Sequence, residues 1–314
     1  VALSDPNLPP TAAHPRQALL QAAEWFRRRT LPSTDDAAAV AARLRGRQVS
    51  VVLPARNEES TIGDIVTTIR ERLVDEVPLV HEIIVVDSRS TDATTIRAGS
   101  SGAIVHRVPR HGRDGGKGEA LQAGLSRMTG DVGVFLDSDV RAFDPAFVVR
   151  LVDALISDPS LVLVKAFYDR PSDQGGGGRV TELVARPLLR RLAPELSAVV
   201  QPLAGETAFV RGPMLRLPFV SGYGVEIGML LQVLAAHGLD AIGQTDLGVR
   251  EHSHQELAAL ARMAVQIESA FSLCLDHVER TDDARVTFRR DGEGAMEMRR
   301  ERVPTWLLPP LTED

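Results

Sequence analysis

Several short segments of this sequence carry residue types that handle phosphate and divalent cations. Asp137-Ser138-Asp139 follows directly on an apolar run. Two carboxylates so close together raise one another's pKa unless a cation neutralises them. Mg²⁺ or Mn²⁺ suits them, because hard oxygen ligands bind hard cations; a solvated turn or helix cap is the other reading of the triplet alone. A second segment, His111-Gly-Arg-Asp-Gly-Gly-Lys117-Gly-Glu-Ala120, opens onto a helical pattern. Glycines let backbone amides approach a phosphate, the helix N-terminus favours negative charge, and Lys117 adds a point charge. No Ser or Thr follows the lysine and the segment does not follow the first strand, so it is neither a Walker loop nor a dinucleotide fingerprint. A surface loop is the alternative. The same logic recurs at Gly175-Gly-Gly177-Gly178-Arg179-Val180-Thr181, where an arginine fork and a hydroxyl stand at a helix start; a linker is the alternative. Leu247-Gly-Val-Arg250-Glu-His252-Ser-His254 brings an arginine and two histidines to a strand end, a composition that can complete a metal or phosphate site. Its spacing is too short for a zinc site with every ligand local.

These residues need elements to position them. Residues 15–30 read as a helix with Leu19, Ala22, Ala23 and Phe26 on one face, after a Pro- and Ala-rich stretch, 1–14, expected to be poorly ordered. From Arg47 strands and helices alternate. Buried strands are expected at 49–53, 83–86, 103–105 and 132–136, with helices at 62–73, 91–99 and 117–128 between them. Such an order predicts an α/β fold, a mainly parallel sheet with helices on both faces. Ligands on such sheets sit beyond the carboxyl ends of the strands, where Pro54, Asp87 and Asp137 all fall. The turn Pro54-Ala55-Arg56-Asn57-Glu58-Glu59 reads either as a helix cap by Asn57 or as the wall for a nucleobase and ribose; Asp87-Ser88-Arg89-Ser90-Thr91-Asp92 can also be capping chemistry. Farther on, the pattern predicts a strand at 161–167, helices at 179–192, 225–236 and 254–278, a strand at 239–249 and a hairpin over 286–298.

Bulk properties narrow the function classes. The 314 residues carry a formal charge of −6, which excludes an overall basic footprint for nucleic acid. One cysteine, Cys274, excludes an internal disulfide framework and fits a reducing, cytoplasmic setting. No apolar run is expected to approach the length of a membrane span, and no secretory pattern is read at the start. The basic residues are almost all arginine; Lys117 and Lys165 are the two lysines. Either they are tolerated accidents, or a compact ammonium is wanted there.

Taken together, these segments resemble the glucosyl-3-phosphoglycerate synthases and the related bacterial mannosyl-3-phosphoglycerate synthases. The matching stretches are Val51–Glu59, Asp87–Asp92, Gly116–Ala120, Asp137–Asp139, Val164–Tyr168, Gly177–Leu189, Gln201–Glu206, Gly222–Gly228 and Leu247–His252, in order over roughly residues 48–270. The resemblance implies a retaining GT-A transferase with a Rossmann-like twisted sheet, C-terminal helices and the hairpin. It implies transfer of glucose or mannose from a UDP- or GDP-linked donor to the 2-hydroxyl of 3-phosphoglycerate, with Mg²⁺ or Mn²⁺. By motif matching, Pro54, Ala55, Arg56, Glu58 and Ser88 line the nucleotide, Lys117 and Arg250 face it and its phosphates, and Asp137 and Ser138 lie against ribose and metal. Asp139 and His252 are the implied metal ligands, Glu226 touches the donor sugar, and Asp139, Glu226, Lys117 and Arg179 make up the implied catalytic set. Gly177, Gly178, Arg179, Val180, Thr181 and His254 are the implied acceptor residues; Lys165 has no role. The implied organisation is an N-terminal helical extension (1–47), a nucleotide-sugar half (48–140), an acceptor half of the same domain (141–280) and a tail (281–314), pairing as a homodimer. Arg56 and His254 differ from the residues common at those positions, which leaves base and sugar open. An inverting transferase making a polyprenyl-phosphate sugar shares the first half of the motifs. A non-catalytic nucleotide-sugar-binding protein needs the donor residues without an acceptor site.

Overall fold

A computed structural model describes residues 15–108, 116–169, 178–250, 256–280, 283–290, 292 and 296–311. The expectations for 1–14, for the 111–115 part of the glycine-rich turn, for Gly175–Gly177 and for His252 and His254 lie outside these residues.

The centre is a seven-stranded sheet built from β1 (Val49–Ala55), β2 (Glu82–Asp87), β3 (Ile104–Arg107), β4 (Val132–Phe135), β5 (Leu163–Asp169), β6 (Thr207–Val210) and β8 (Ile242–Val249), in the order β3-β2-β1-β4-β6-β5-β8, while β7 (Phe219–Val220) pairs outside it with Leu307–Leu308. The pairs β1–β2, β2–β3, β1–β4 and β5–β8 are parallel, and β6 runs antiparallel to both β4 and β5. The mainly parallel reading therefore holds, with β6 an antiparallel insertion in mid-sheet. Its four residues, Thr207-Ala-Phe-Val210, are too short to give a periodic signal distinct from the flanking loop.

Helices cover both faces. On one side α3 (Ile62–Arg70) and α6 (Ala146–Ile156) bury Ile62, Ile65, Val66, Ile69, Val148, Leu151 and Val152 against the strands. On the other, α5 (Lys117–Arg127), α9 (Val225–His237) and α10 (Leu257–Cys274) bury Leu121, Leu125, Ile227, Leu230, Ile267 and Phe271. Parallel strands covered on both faces read as continuous apolar runs, which is why Ile83-Ile84-Val85-Val86 shows no alternation.

Three expectations are corrected. In α1 (Pro15–Arg29) Ala22 and Trp25 are buried while Ala23 and Phe26 are exposed, and the side chain of Leu19 lies outside those described. Trp25 wins the inward position because its indole Nε1 donates to the carbonyls of Leu239 and Ile242. Asn57 does not cap α3, whose N-cap residue is Thr61; its Oδ1 accepts from the backbone N of Thr91 at 2.8 Å instead. Finally α10, with 18 residues and a mean hydropathy of 1.3, is long and apolar enough by composition alone to cross a membrane. It packs against α9 and the 222–224 turn.

Candidate active site

The sheet order reverses between β1 and β4, and the crevice at such a switch point is where ligands bind. Register aligns its walls: Ala55 stands opposite Asp87, and Val52 opposite Phe135. Ser138 Oγ donates to the Pro54 carbonyl at 2.7 Å and Thr61 Oγ1 donates to the Ser138 carbonyl at 2.6 Å, so the Asp-Ser-Asp turn is tied to the β1 turn. The turns at 54–59 and 87–92 are themselves cross-linked. The amides of Asn57, Glu58 and Glu59 donate to Ser90 Oγ, Thr94 Oγ1 and Asp92 Oδ2 at 2.9, 2.8 and 3.2 Å. Asn57 and Arg89 both adopt positive φ, 60° and 66°, which folds the two turns toward each other. Ser88 is buried and Arg56 exposed at this rim.

Beneath the rim lies a chain of charges, Glu226 buried and Lys117 and Asp137 largely so. Lys117 Nζ is 2.6 Å from both Asp137 Oδ1 and Glu226 Oε1. A lysine opening a helix is disfavoured by the macrodipole, so the two carboxylates hold it at the start of α5. Glu226 in the first turn of α9 suits the dipole. One acceptor joins the two helix starts: Glu119 Oε2 accepts from the amides of Gly116 at 3.0 Å and Gly222 at 3.1 Å. Gly118 has a packing reason for being glycine, since a Cβ there would lie 2.0 Å from the Val220 carbonyl oxygen.

Arg250, the residue after β8, is 4% exposed and spans the floor. Its Nη2 lies 3.0 Å from Asp139 Oδ1 and 3.3 Å from Asp137 Oδ2, and its Nη1 lies 2.9 Å from Glu206 Oε1 and 2.5 Å from Tyr168 Oη. Glu206 and Lys165 complete the layer at 1% and 0% exposure. Lys165 Nζ donates to the Ala204 carbonyl and, at 3.0 Å, to Thr207 Oγ1. It thereby clamps the segment that presents Glu206, and burial lowers its pKa to about 8. Sequence reasoning left Lys165 without a role and did not single out Glu206. The available signal was a charged residue inside each of two otherwise apolar strand-end segments.

The paired aspartates divide as like charges must. Burial acts to raise the Asp137 carboxyl, but Lys117 and then Arg250 outweigh it and hold it well below the usual carboxylate range. Asp139 is pushed up by burial and by Asp137. Glu58 rises to about 7, through burial first and then Asp139, Asp137 and Asp92. Because its folded pKa exceeds its unfolded value of 4.5, ionised Glu58 costs stability above about pH 7, and the cost fades as pH falls toward 4.5. Glu58→Gln should therefore raise the melting temperature of chelator-treated protein by roughly 2–4 °C at pH 8 and by less at pH 5, read by calorimetry at both values.

Asp137 is also pressed from the other side. A Cβ on Gly205 would lie 2.1 Å from Asp137 Oδ1. Gly205→Ala should displace Asp137 from Lys117, costing about 1–3 kcal/mol in a denaturant titration and lowering turnover with it.

A divalent cation fits this acid-rich rim. Asp139 is the partly open carboxylate, 38% exposed, beside a second aspartate and a glutamate with a raised pKa. Among the described residues no three metal-ligating side chains converge on one point, so oxygens of a bound diphosphate would supply ligands. Arg179 is exposed and Thr181 buried in the helical turn after Gly178, whose φ is +96°. Val180 packs in the core beside them.

Comparison with known proteins accords with this geometry. The model for glycosyl transferase family 2 matches residues 50–211. A glucosyl-3-phosphoglycerate synthase of Mycolicibacterium smegmatis is 50% identical over 232 residues, 71% of this chain and 76% of that protein. The mannosyl-3-phosphoglycerate synthase structure from Rubrobacter xylanophilus superposes with a TM-score of 0.82 at 35% identity, covering 92% of this chain and 96% of that one. The Mycobacterium tuberculosis glucosyl-3-phosphoglycerate synthase in complex with Mn²⁺, UDP-glucose and phosphoglyceric acid gives 0.78 at 41% identity, covering 90% and 95%. The crevice between β1 and β4, with its aspartate pair and buried lysine, thus belongs to a glycosyltransferase, and the chain is a member of the glucosyl-3-phosphoglycerate synthase family.

Proposed function

We propose that this enzyme transfers glucose from UDP-glucose to the 2-hydroxyl of 3-phosphoglycerate with retention at the anomeric carbon. The observation that carries the reading is the ion-paired Asp137–Lys117–Glu226 chain at the sheet's switch point. Pro54, Ala55, Arg56, Glu58 and Ser88 are assigned to the nucleotide, with Asp137 and Ser138 at the ribose. Asp139 and His252 are assigned to Mg²⁺ or Mn²⁺, which supplies charge stabilisation to the departing diphosphate. Arg250 and Lys117 add fixed positive charge on the same side. Gly177, Gly178, Arg179, Val180, Thr181 and His254 are assigned to the acceptor, whose hydroxyl Arg179 aims through the phosphate and carboxylate. The acceptor oxygen bonds to the anomeric carbon as the bond to the diphosphate oxygen breaks, and the acceptor proton passes to that leaving oxygen. Glu226, held by Lys117, hydrogen-bonds the sugar rather than attacking it; a glycosylated Glu226 in a trapping experiment would overturn this step. On this reading residues 48–140 form the donor half and 141–280 the acceptor half of one domain, and a reducing, cytoplasmic setting suits the free Cys274.

Nucleotide release from UDP-glucose, GDP-glucose and GDP-mannose, with Mg²⁺ and with or without 3-phosphoglycerate, tests the assignment. Release of UDP that requires 3-phosphoglycerate is expected. Release from no donor would redirect the search to lipid phosphate acceptors or a binding role.

A homodimer completes the proposal. The hairpin of β9 (Ala284–Arg290) and β10 (Met296–Arg302) pairs Phe288 with Met298 and Val286 with Arg300. Side chains two apart share a face, so Val286, Phe288, Met296 and Met298 form one apolar patch, and all four are exposed. An isolated hairpin is marginal in water, and a second copy would cover it. Phe288→Asp should shift the species seen by light scattering from dimer to monomer.

A further inference from the structure

Glu206 is 1% exposed, yet neither of its carboxylate oxygens accepts a hydrogen bond among the described residues. Its ion-pair partner there is Arg250 Nη1 at 2.9 Å, without hydrogen-bond alignment. Burial of an unsatisfied carboxylate is costly, and a hydrophobic residue of similar size would pack with less penalty. The arrangement around Arg250 gives the carboxylate something to do. The guanidinium is pulled toward the rim by Asp137 and Asp139 through Nη2, and toward the floor by Glu206 and Tyr168 through Nη1. Asp139 is the carboxylate assigned to the metal, and a guanidinium settled fully on it would compete with the cation for the same oxygens. The floor residue is also built to stay put: Lys165 clamps Ala204 and Thr207 on either side of Glu206, and the Glu206 carbonyl accepts from the amide of Ala166 at 3.1 Å.

We propose that Glu206 is a positioning residue for the metal site: by anchoring Nη1 of Arg250 from below, it confines the guanidinium's contact with Asp139 to Oδ1, at 3.0 Å, and so leaves the other carboxylate oxygen open to the divalent cation. The inference rests on the assignment of Asp139 to the metal. It extends that assignment to a residue that touches neither metal nor substrate, and outer partners of this kind change metal affinity by roughly 10–100-fold.

The test is Mn²⁺ binding to the 314-residue protein with saturating UDP, read by the loss of the free Mn²⁺ signal in electron paramagnetic resonance. Glu206→Gln keeps the shape and removes the charge; its Mn²⁺ dissociation constant should rise roughly tenfold. Glu206→Asp keeps the charge but withdraws the anchor, and should fall between Gln and wild type. In steady-state kinetics both should raise the KM for UDP-glucose and leave the KM for 3-phosphoglycerate unchanged, a split that general loss of structure does not produce. Tyr168→Phe removes the second anchor of Nη1 at little cost in volume, and should raise the Mn²⁺ constant roughly two- to threefold; it carries the test if Glu206→Gln fails to fold. Wild-type Mn²⁺ affinity in a folded Glu206→Gln protein, or in Tyr168→Phe where Gln does not fold, would overturn the proposal. So would wild-type affinity in Glu206→Asp, since charge alone would then suffice. Release of UDP by the wild type that depends on 3-phosphoglycerate reports separately on the function, so either reading can fail without the other.

Discussion

Lys117→Met should lower kcat by about 10²–10³-fold, the loss expected when a fixed charge on a departing oxyanion is removed. Lys117 Nζ stands 2.6 Å from Asp137 and from Glu226. Removing it takes a cation from the leaving group and also sets two carboxylates face to face in a buried site. The second consequence should cost about 3–5 kcal/mol of stability, with a definite pH dependence. In the wild type, burial alone would lower the Lys117 pKa, but Asp137 and Glu226 hold it well above 10.5, and Asp137 is held low in turn. In the variant Asp137 loses that partner and its pKa rises, so the variant gains stability relative to wild type as pH falls. Denaturant titrations at pH 8 and pH 5.5 should show the gap narrowing at the lower value, while kcat at saturating substrates stays depressed at both. Lys117→Arg should not restore turnover, because a planar guanidinium is no substitute for an ammonium held between two carboxylates. Wild-type kcat in a folded Lys117→Met protein would remove Lys117 from the chemistry.

Arg179→Ala should raise the KM for 3-phosphoglycerate by one to two orders of magnitude, the effect of losing one or two charge-assisted hydrogen bonds to a phosphate. The KM for UDP-glucose should stay within about twofold, because Arg179 opens the helical turn after Gly178 and not the donor rim. Initial rates over a range of 3-phosphoglycerate at saturating donor give both constants. An unchanged acceptor constant would sink the assignment of residues 177–181 and favour a binding role or a different acceptor.

How far the sequence reached is clearest at particular residues. The strands carrying Pro54, Asp87 and Asp137 were legible because parallel strands buried on both faces must be continuous apolar runs, and their ends mark the ligand crevice. Asp137, Asp139, Lys117 and Glu226 all stand in motifs legible in the sequence, and three of them, Asp137, Lys117 and Glu226, form one ion-paired chain. The inward face of α1 was misread, because Trp25 reaches its carbonyl partners on residues more than two hundred positions away. Local chemistry offers Asn57 as a helix cap, one of two readings of its turn, but in the fold the turn at Thr91 takes its side chain.

What the sequence by itself determined was the alternating strands and helices of the first half, the glycosyltransferase family and the identities of the charged residues at the strand ends, since these depend on local periodicity and on short motifs. What only the tertiary structure decided was which charges meet. Glu206 and Lys165 look like isolated polar residues along the chain, and become the floor of the site because β6 inserts antiparallel between β4 and β5 and sets Lys165 beside Thr207. Electrostatic partnership depends on distance through space, and pairings between strands distant along the chain leave no periodic trace in the sequence.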